Sequence, residues 1–491
     1  TLSSADGNTG VGTAVLAALT TGDNNVAVGK SAMAANTTGH SNIAIGANSL
    51  DANTTTSENV SIGYESMGAN TAGSQTTAVG VFALQKNTTG YQNTAIGYEA
   101  LHDNTEAHDN VALGAYALHK NTTATANTGL GLQTLFTNTV GHSNTAVGFK
   151  TMLDNTTGDY NTAIGKDALA NNTTANLNTA VGYQSLNTNT TGSNLTAMGV
   201  ESLNANTTAS NNTAFGEEAL KKTTTGDTNT AMGVSAGACN TTGEHLTAIG
   251  FEALKANTTA ANNTVVGYRS MLATTTGADN TAVGREALKC NTTAAQNVAM
   301  GTCALFTNTT GANNTSLGNY SLKLNTTGAS NVAVGYSALC SVTGGGSVNT
   351  ALGNAAGNGI TTGCYNTMIG HDTDPSAATS LFELVLGHGG TGKGSATMFV
   401  SNVANGVFNT ANATAWSQTS DRRIKKNIVD NNTGLDKISQ IQVRNFEYRT
   451  VDEITDFGEH KESAVVKKEG IQVGAIAQEL EEILPELVTT Q

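Results

Sequence analysis

Few residues of this 491-residue chain have types and spacings that suggest chemistry. The stretch Gly387-His388-Gly389-Gly390-Thr391-Gly392-Lys393-Gly394 has the glycine spacing of a phosphate-binding loop. Gly394, however, stands where a Ser or Thr hydroxyl must hold Mg²⁺, and no helical pattern follows, so a hairpin loop is expected. Asn-x-Ser/Thr triplets, as at Asn36, Asn87 and Asn155, have the form of glycosylation acceptors. They recur in step with a structural period, which assigns them to turns and side-chain ladders. His40, His108 and His142 share one phase of that period but lie in non-consecutive copies, so no metal row is expected. Glu217-Glu218 reads as a solvated face, and no acidic cluster stands out from the repeat. Cys239, Cys290, Cys303, Cys340 and Cys364 are odd in number and widely spaced. They imply neither a disulfide framework nor a zinc site, and five free thiols are expected. Ser420 is followed by Arg422-Arg423-Ile424-Lys425-Lys426, which alone reads as a solvated basic run opening a helix. Nothing in the sequence implies a cofactor.

The element that must position the groups before residue 371 is a repeat. A glycine recurs every 17 residues from Gly12 to Gly335, then at Gly353 and Gly370, giving 22 copies. The commonest unit is N-T-A-V-G-x-x-A-L-x-x-N-T-T-G-x-x. A short fixed period of this kind means one turn of a solenoid per copy. N-T-A-V is a short strand with Thr and Val on one face and Ala on the other. The glycine ends the strand where φ turns positive. Ala-Leu, as in Ala100-Leu101, points inward from either a helical turn or a second strand. N-T-T-G is turn chemistry, and an Asn at one place in every coil can bond to the Asn above and below. Two large aliphatics per coil bury little surface against the entropy of ordering 17 residues. Further surface must therefore be covered, and the small alanine face is the expected place for side-by-side chains to meet.

Composition agrees with a repetitive rather than an enzymatic chain. Charged residues are 12%, aromatics 5%, and there are only 2 prolines. The net charge of −14 argues against broad binding to nucleic acid or anionic membrane. No apolar run reaches membrane-spanning length, so no membrane insertion is expected. No leader-like segment opens the chain, and Thr1 in place of Met suggests a trimmed start. The 17-residue shaft is read over 1–370 and a small β connector holding Trp416 over 371–419. Charge density rises sharply from Ser420, so a second domain of α+β design is read over 420–491.

Two resemblances bear on function. The strand-plus-glycine motif, for instance Asn93-Thr94-Ala95-Ile96-Gly97, resembles the heads of trimeric autotransporter adhesins, whose unit is shorter. This implies a mainly β, elongated parallel β-solenoid in a side-by-side homotrimer. Similar arrays resemble bacteriophage tail fibres. The C-terminal stretch begins Ser420-Asp421-Arg422-Arg423-Ile424-Lys425, continues through Val443-Arg444-Asn445-Phe446-Glu447-Tyr448, and ends with Gly474-Ala475-Ile476-Ala477-Gln478-Glu479-Leu480. It is similar to the intramolecular chaperone domain of endosialidase and of other phage tail spikes and fibres. Those domains run on with further helices, so this one is expected to be truncated at Gln491. The resemblance implies a domain that helps three chains fold in register and then cuts itself off. Ser420 would be the nucleophile, Lys425 the base and Thr419–Ser420 the bond. Such a Lys needs a pKa lowered by burial or by neighbouring cations, and Arg422, Arg423 and Lys426 are such cations. The implied function is a receptor-binding tail fibre on the virion, bound to other virion tail proteins and to a host cell-surface glycan or protein. The only enzyme activity implied is single-turnover self-cleavage. The alternatives are a bacterial trimeric surface adhesin and a glycan-depolymerising tail spike, which needs paired carboxylates in a groove.

Overall fold

A computed structural model describes residues 4–402, 405–409, 417–418, 434–450, 453 and 470–485. The chain divides into two units, Thr1–Gln418 and Thr419–Gln491. No helix among the described residues is long and apolar enough to cross a membrane.

The first unit is a parallel β-solenoid with one strand per coil. Twenty-two three-residue strands run from β1 (Thr9–Val11) to β22 (Thr367–Ile369). Each pairs in parallel with the strand of the next coil in strict register, as in Thr162↔Thr179, Ala163↔Ala180 and Ile164↔Val181. Strand alternation turns the central Ala inward, fully buried at Ala95, Ala163 and Ala231. The flanking Thr and aliphatic point outward. The alanine face is therefore used up in the interior of the solenoid, in one apolar cluster with the coil leucines. The expectation that neighbouring chains meet there is overturned.

The Ala-Leu segment is neither a helical turn nor a strand. The residue two after each coil glycine and the Leu or Met four after it are left-handed: Glu99 has φ 52° and Leu101 φ 51°. This alternation lets consecutive backbone groups bond to opposite neighbours. The Phe82 amide donates back to the Tyr64 carbonyl, and the Leu84 amide donates forward to Ala100. A left-handed residue with a side chain costs on the order of 1 kcal/mol, and complete burial of Leu101 returns ~2. The coil glycine has no such latitude. Gly182 has φ +132°, and a Cβ there would lie 2.5 Å from the carbonyl oxygen of Gly199 in the next coil.

Two buried asparagine ladders complete the wall. In one, Asn161 Nδ2 donates to Asn144 Oδ1 at 3.1 Å, and Asn144 to Asn127 at 3.2 Å. In the other, Asn104 Nδ2 donates to Asn87 Oδ1 at 2.7 Å and to its own Ala107 carbonyl at 3.1 Å. Asn36, Asn87 and Asn155 belong to this second ladder and are fully buried, which closes them to glycosylation in the folded chain.

The ladder continues past Gly370. Strand β23 (Leu384–His388) pairs in parallel with β22, and β24 (Met398–Asn402) in parallel with β23. Two antiparallel strands follow, β25 (Asn405–Asn409) and β26 (Ser417–Gln418). Val385 and Phe399 extend the inner apolar column.

Candidate functional site

The second unit is described in four short elements: α1 (Gly434–Ile438), β27 (Arg444–Phe446), β28 (Gln472–Gly474) and α2 (Ala477–Ile483). β27 and β28 pair antiparallel, with Arg444 opposite Gly474. This brings together two motifs that are distant in sequence. Gly474 ends β28, and Ala477-Gln478-Glu479-Leu480 forms the first turn of α2. That turn presents Glu479 to Arg444, with Nε–Oε2 at 3.1 Å and Nη2–Oε1 at 3.0 Å. The two-pronged contact is the planar fit of guanidinium to carboxylate, and it pushes the Arg444 pKa above its usual value. The sequence holds both residues within quoted motifs but carries no sign that they pair. Phe446 and Tyr448 meet edge to face at 5.4 Å. Helix α2 has no buried residue, and Ile438, Val443, Ile471 and Val473 are each more than 60% exposed. Thr419, Ser420 and Lys425, together with Arg422, Arg423 and Lys426, lie outside the described residues.

On the solenoid, the residue before each coil glycine forms an unbroken outward column. All twenty-two are apolar, and Ile45, Ile96, Leu113, Ile164, Met232 and Leu352 are among the exposed ones.

The glycine-rich stretch 387–394 is not a hairpin loop, because the strands it joins are parallel. It does hold an anion, and that anion belongs to the chain. Glu383 occupies the Asn register, its amide donating to Asn366 Oδ1 at 3.0 Å. Its buried carboxylate accepts from the Gly394 amide at 3.0 Å and from the amide and hydroxyl of Ser376 at 2.9 and 3.1 Å. His108 stacks on Tyr91 at 4.6 Å, and His142 Nδ1 accepts from the Thr125 amide at 3.0 Å. No group of three metal-ligating side chains gathers among the described residues. All five cysteines are free thiols. One acidic pair escapes a reading by sequence: Asp51 and Glu65 line a common notch beside Gly68.

Residues 420–489 match the family model described as the chaperone of endosialidase, a peptidase family. No curated protein matches the chain. The C-terminal unit is thus a chaperone-of-endosialidase domain attached to a β-solenoid.

Proposed function

We propose that the chain is the shaft and receptor-binding part of a bacteriophage tail fibre, a side-by-side homotrimer assembled by its C-terminal domain. The observation that carries this reading is the exposed aliphatic column running the length of the solenoid. Twenty-two side chains leave on the order of 1,000 Å² of apolar surface in water. Monomers rarely expose more than a few hundred, and a standard interface takes about 800 Å² from each partner. The apolar residues left bare on the C-terminal unit support the same reading. Three parallel copies in register would cover both surfaces.

The same domain would release the shaft by self-cleavage. Neutral Lys425 takes the proton from Ser420 Oγ, which attacks the Thr419 carbonyl carbon. The Thr419–Ser420 C–N bond breaks, and the Ser420 nitrogen receives that proton and leaves as an amine. Water then hydrolyses the ester, giving a Thr419 carboxylate and regenerating the Ser420 hydroxyl. Native mass spectrometry tests both parts. A trimer is expected, with a fragment ending at Thr419 that disappears in Ser420→Ala and Lys425→Ala. A monomer refutes the fibre. An intact unmodified trimer refutes the cleavage alone.

A further inference from the structure

One face of the solenoid changes its chemistry along the stack. It is built from the residues two and five after each coil glycine. In the later coils these form an ion-pair ladder. Lys221 meets Glu201 at 2.6 Å and Glu218 at 2.8 Å, Lys255 and Arg269 share Glu252 at 2.6 and 2.7 Å, and Lys289 meets Glu286 at 2.7 Å. These charges satisfy one another.

From the coil of Gly46 to that of Gly131 the same positions are different. Gly68 stands between Asp51 and Gln85 in its column, and the missing side chain opens a notch of about 350 Å³. Asp51 and Glu65 line it, and burial pushes the Asp51 carboxyl above its ordinary pKa. Lys86 at the notch is taken up by Asp103 at 2.8 Å. Gln85 donates to Glu65 at 2.6 Å and meets His102 Nε2 at 2.7 Å. An aromatic surface leads away from the notch. Beside it His102, His119 and Phe136 stack nearly parallel at 5.1 and 5.0 Å, their faces turned to one another. Tyr64, Phe82 and Tyr98 alternate edge to face at 5.5 and 6.3 Å. Tyr64 and Tyr98 are exposed and lie two coils apart, ~10 Å at the usual strand spacing. Each is hydrogen-bonded to the carboxylate that follows it, Glu65 or Glu99, and this pushes the Tyr98 phenol up to about 12.

We propose that this face binds an uncharged oligosaccharide laid along the coil axis, with one sugar ring in the Gly68 notch and the following rings on the aromatic surface. The inference rests on the receptor-binding reading and names the ligand class. A sugar ring has an apolar C–H face suited to a flat aromatic ring and a rim of hydroxyls that donate to fixed carboxylates and amides. The pocket volume lies in the range of small-ligand sites. Acidic glycans and nucleic acids meet Asp51, Glu65 and Glu99 and are repelled.

The test is saturation-transfer NMR of the full chain with linear hexaoses of glucose and of N-acetylglucosamine, with polysialic acid as the acidic probe. At least one neutral hexaose should bind. Gly68→Gln should weaken it tenfold or more: the nearest atoms to a Cβ there are Asp51 Oδ1 and the Glu65 carbonyl oxygen, both at 3.5 Å, so the side chain fits and fills the notch. Tyr98→Ser should weaken it similarly, and Asn204→Gln, at the Gly68 position of a distant coil, should not. Absence of neutral binding, preference for polysialic acid, or indifference to Gly68→Gln and Tyr98→Ser overturns the inference. If the trimer and its cleavage persist in that case, the fibre reading stands without it.

Discussion

The second asparagine ladder is interrupted twice and then ends, and these breaks predict where the solenoid can be strengthened. The ladder position is taken by Thr223, Thr274 and Val342, all buried. The Asn one coil before each, Asn206, Asn257 and Asn325, has a buried Oδ1 with no hydrogen-bond partner. Elsewhere that oxygen accepts from the next Asn, as Asn138 Oδ1 does from Asn155 at 2.7 Å. Thr223→Asn and Thr274→Asn replace a side chain by one of similar volume and supply the missing donor. They also keep an acceptor for Asn240 and Asn291, which now donate to the threonine hydroxyls at 3.3 Å. Each new bond should add about 1 kcal/mol, a roughly five-fold rise in amide protection in the adjoining coils. Native-state hydrogen exchange is the suitable assay, because a solenoid opens locally rather than all at once. Asn155→Thr is the converse: it should orphan Asn138 Oδ1 and cost about 1–3 kcal/mol in its own coils. Unchanged or lower protection in Thr223→Asn, with Asn155→Thr silent, would refute the account of the ladder as a stabilising device.

Gly182→Ala should cost more than about 3 kcal/mol in urea denaturation, since its Cβ enters the next coil at a φ only glycine adopts. Gly68→Ala, with ordinary φ and a Cβ in ordinary van der Waals contact, 3.5 Å from Asp51 Oδ1 and the Glu65 carbonyl oxygen, should change stability by less than about 0.5 kcal/mol. Glu218, Glu252 and Glu286 titrate below their usual 4.5, chiefly through hydrogen bonds from Lys221, Lys255 and Lys289. Their contribution is complete above pH ~4.5 and is lost as pH falls through the lowered values. Because these pairs face solvent, each is worth about 0.5 kcal/mol at most. The triple Glu→Gln variant should therefore be less stable at pH 7, by about 1.5 kcal/mol at most, and converge with the unmodified chain as pH falls below ~4.5, which flattens the acid side of its melting profile. Asp51 and Asp374, raised by burial, act with the opposite sign, their protonation relieving desolvation as pH falls.

What the sequence makes legible is what every coil must repeat. The glycine at Gly182, the inward Ala163, the buried Leu101 and the ladder Asn87 each answer a steric or hydrogen-bonding demand that recurs at 17 residues, so the demand is visible as a period. The left-handed backbone at Leu101 is not legible, because nothing in a Leu signals positive φ. That conformation comes from bonds to the coils on either side. The role of the alanine face is not legible for a related reason. A small side chain signals close approach but does not say to what, and the approach is made by the chain's own Leu. Departures from the period carry the rest. Glu383 in an Asn position ends a ladder inside a glycine-rich loop. Thr223 in an Asn position leaves an oxygen unpaired. Gly68, where the neighbouring coils carry Asp51 and Gln85, opens the notch. A coil that already meets the demands of the stack has only its outward positions free to vary, so a binding surface on such a fold has to be sought where those positions stop resembling their neighbours, as they do between Asn48 and Phe136.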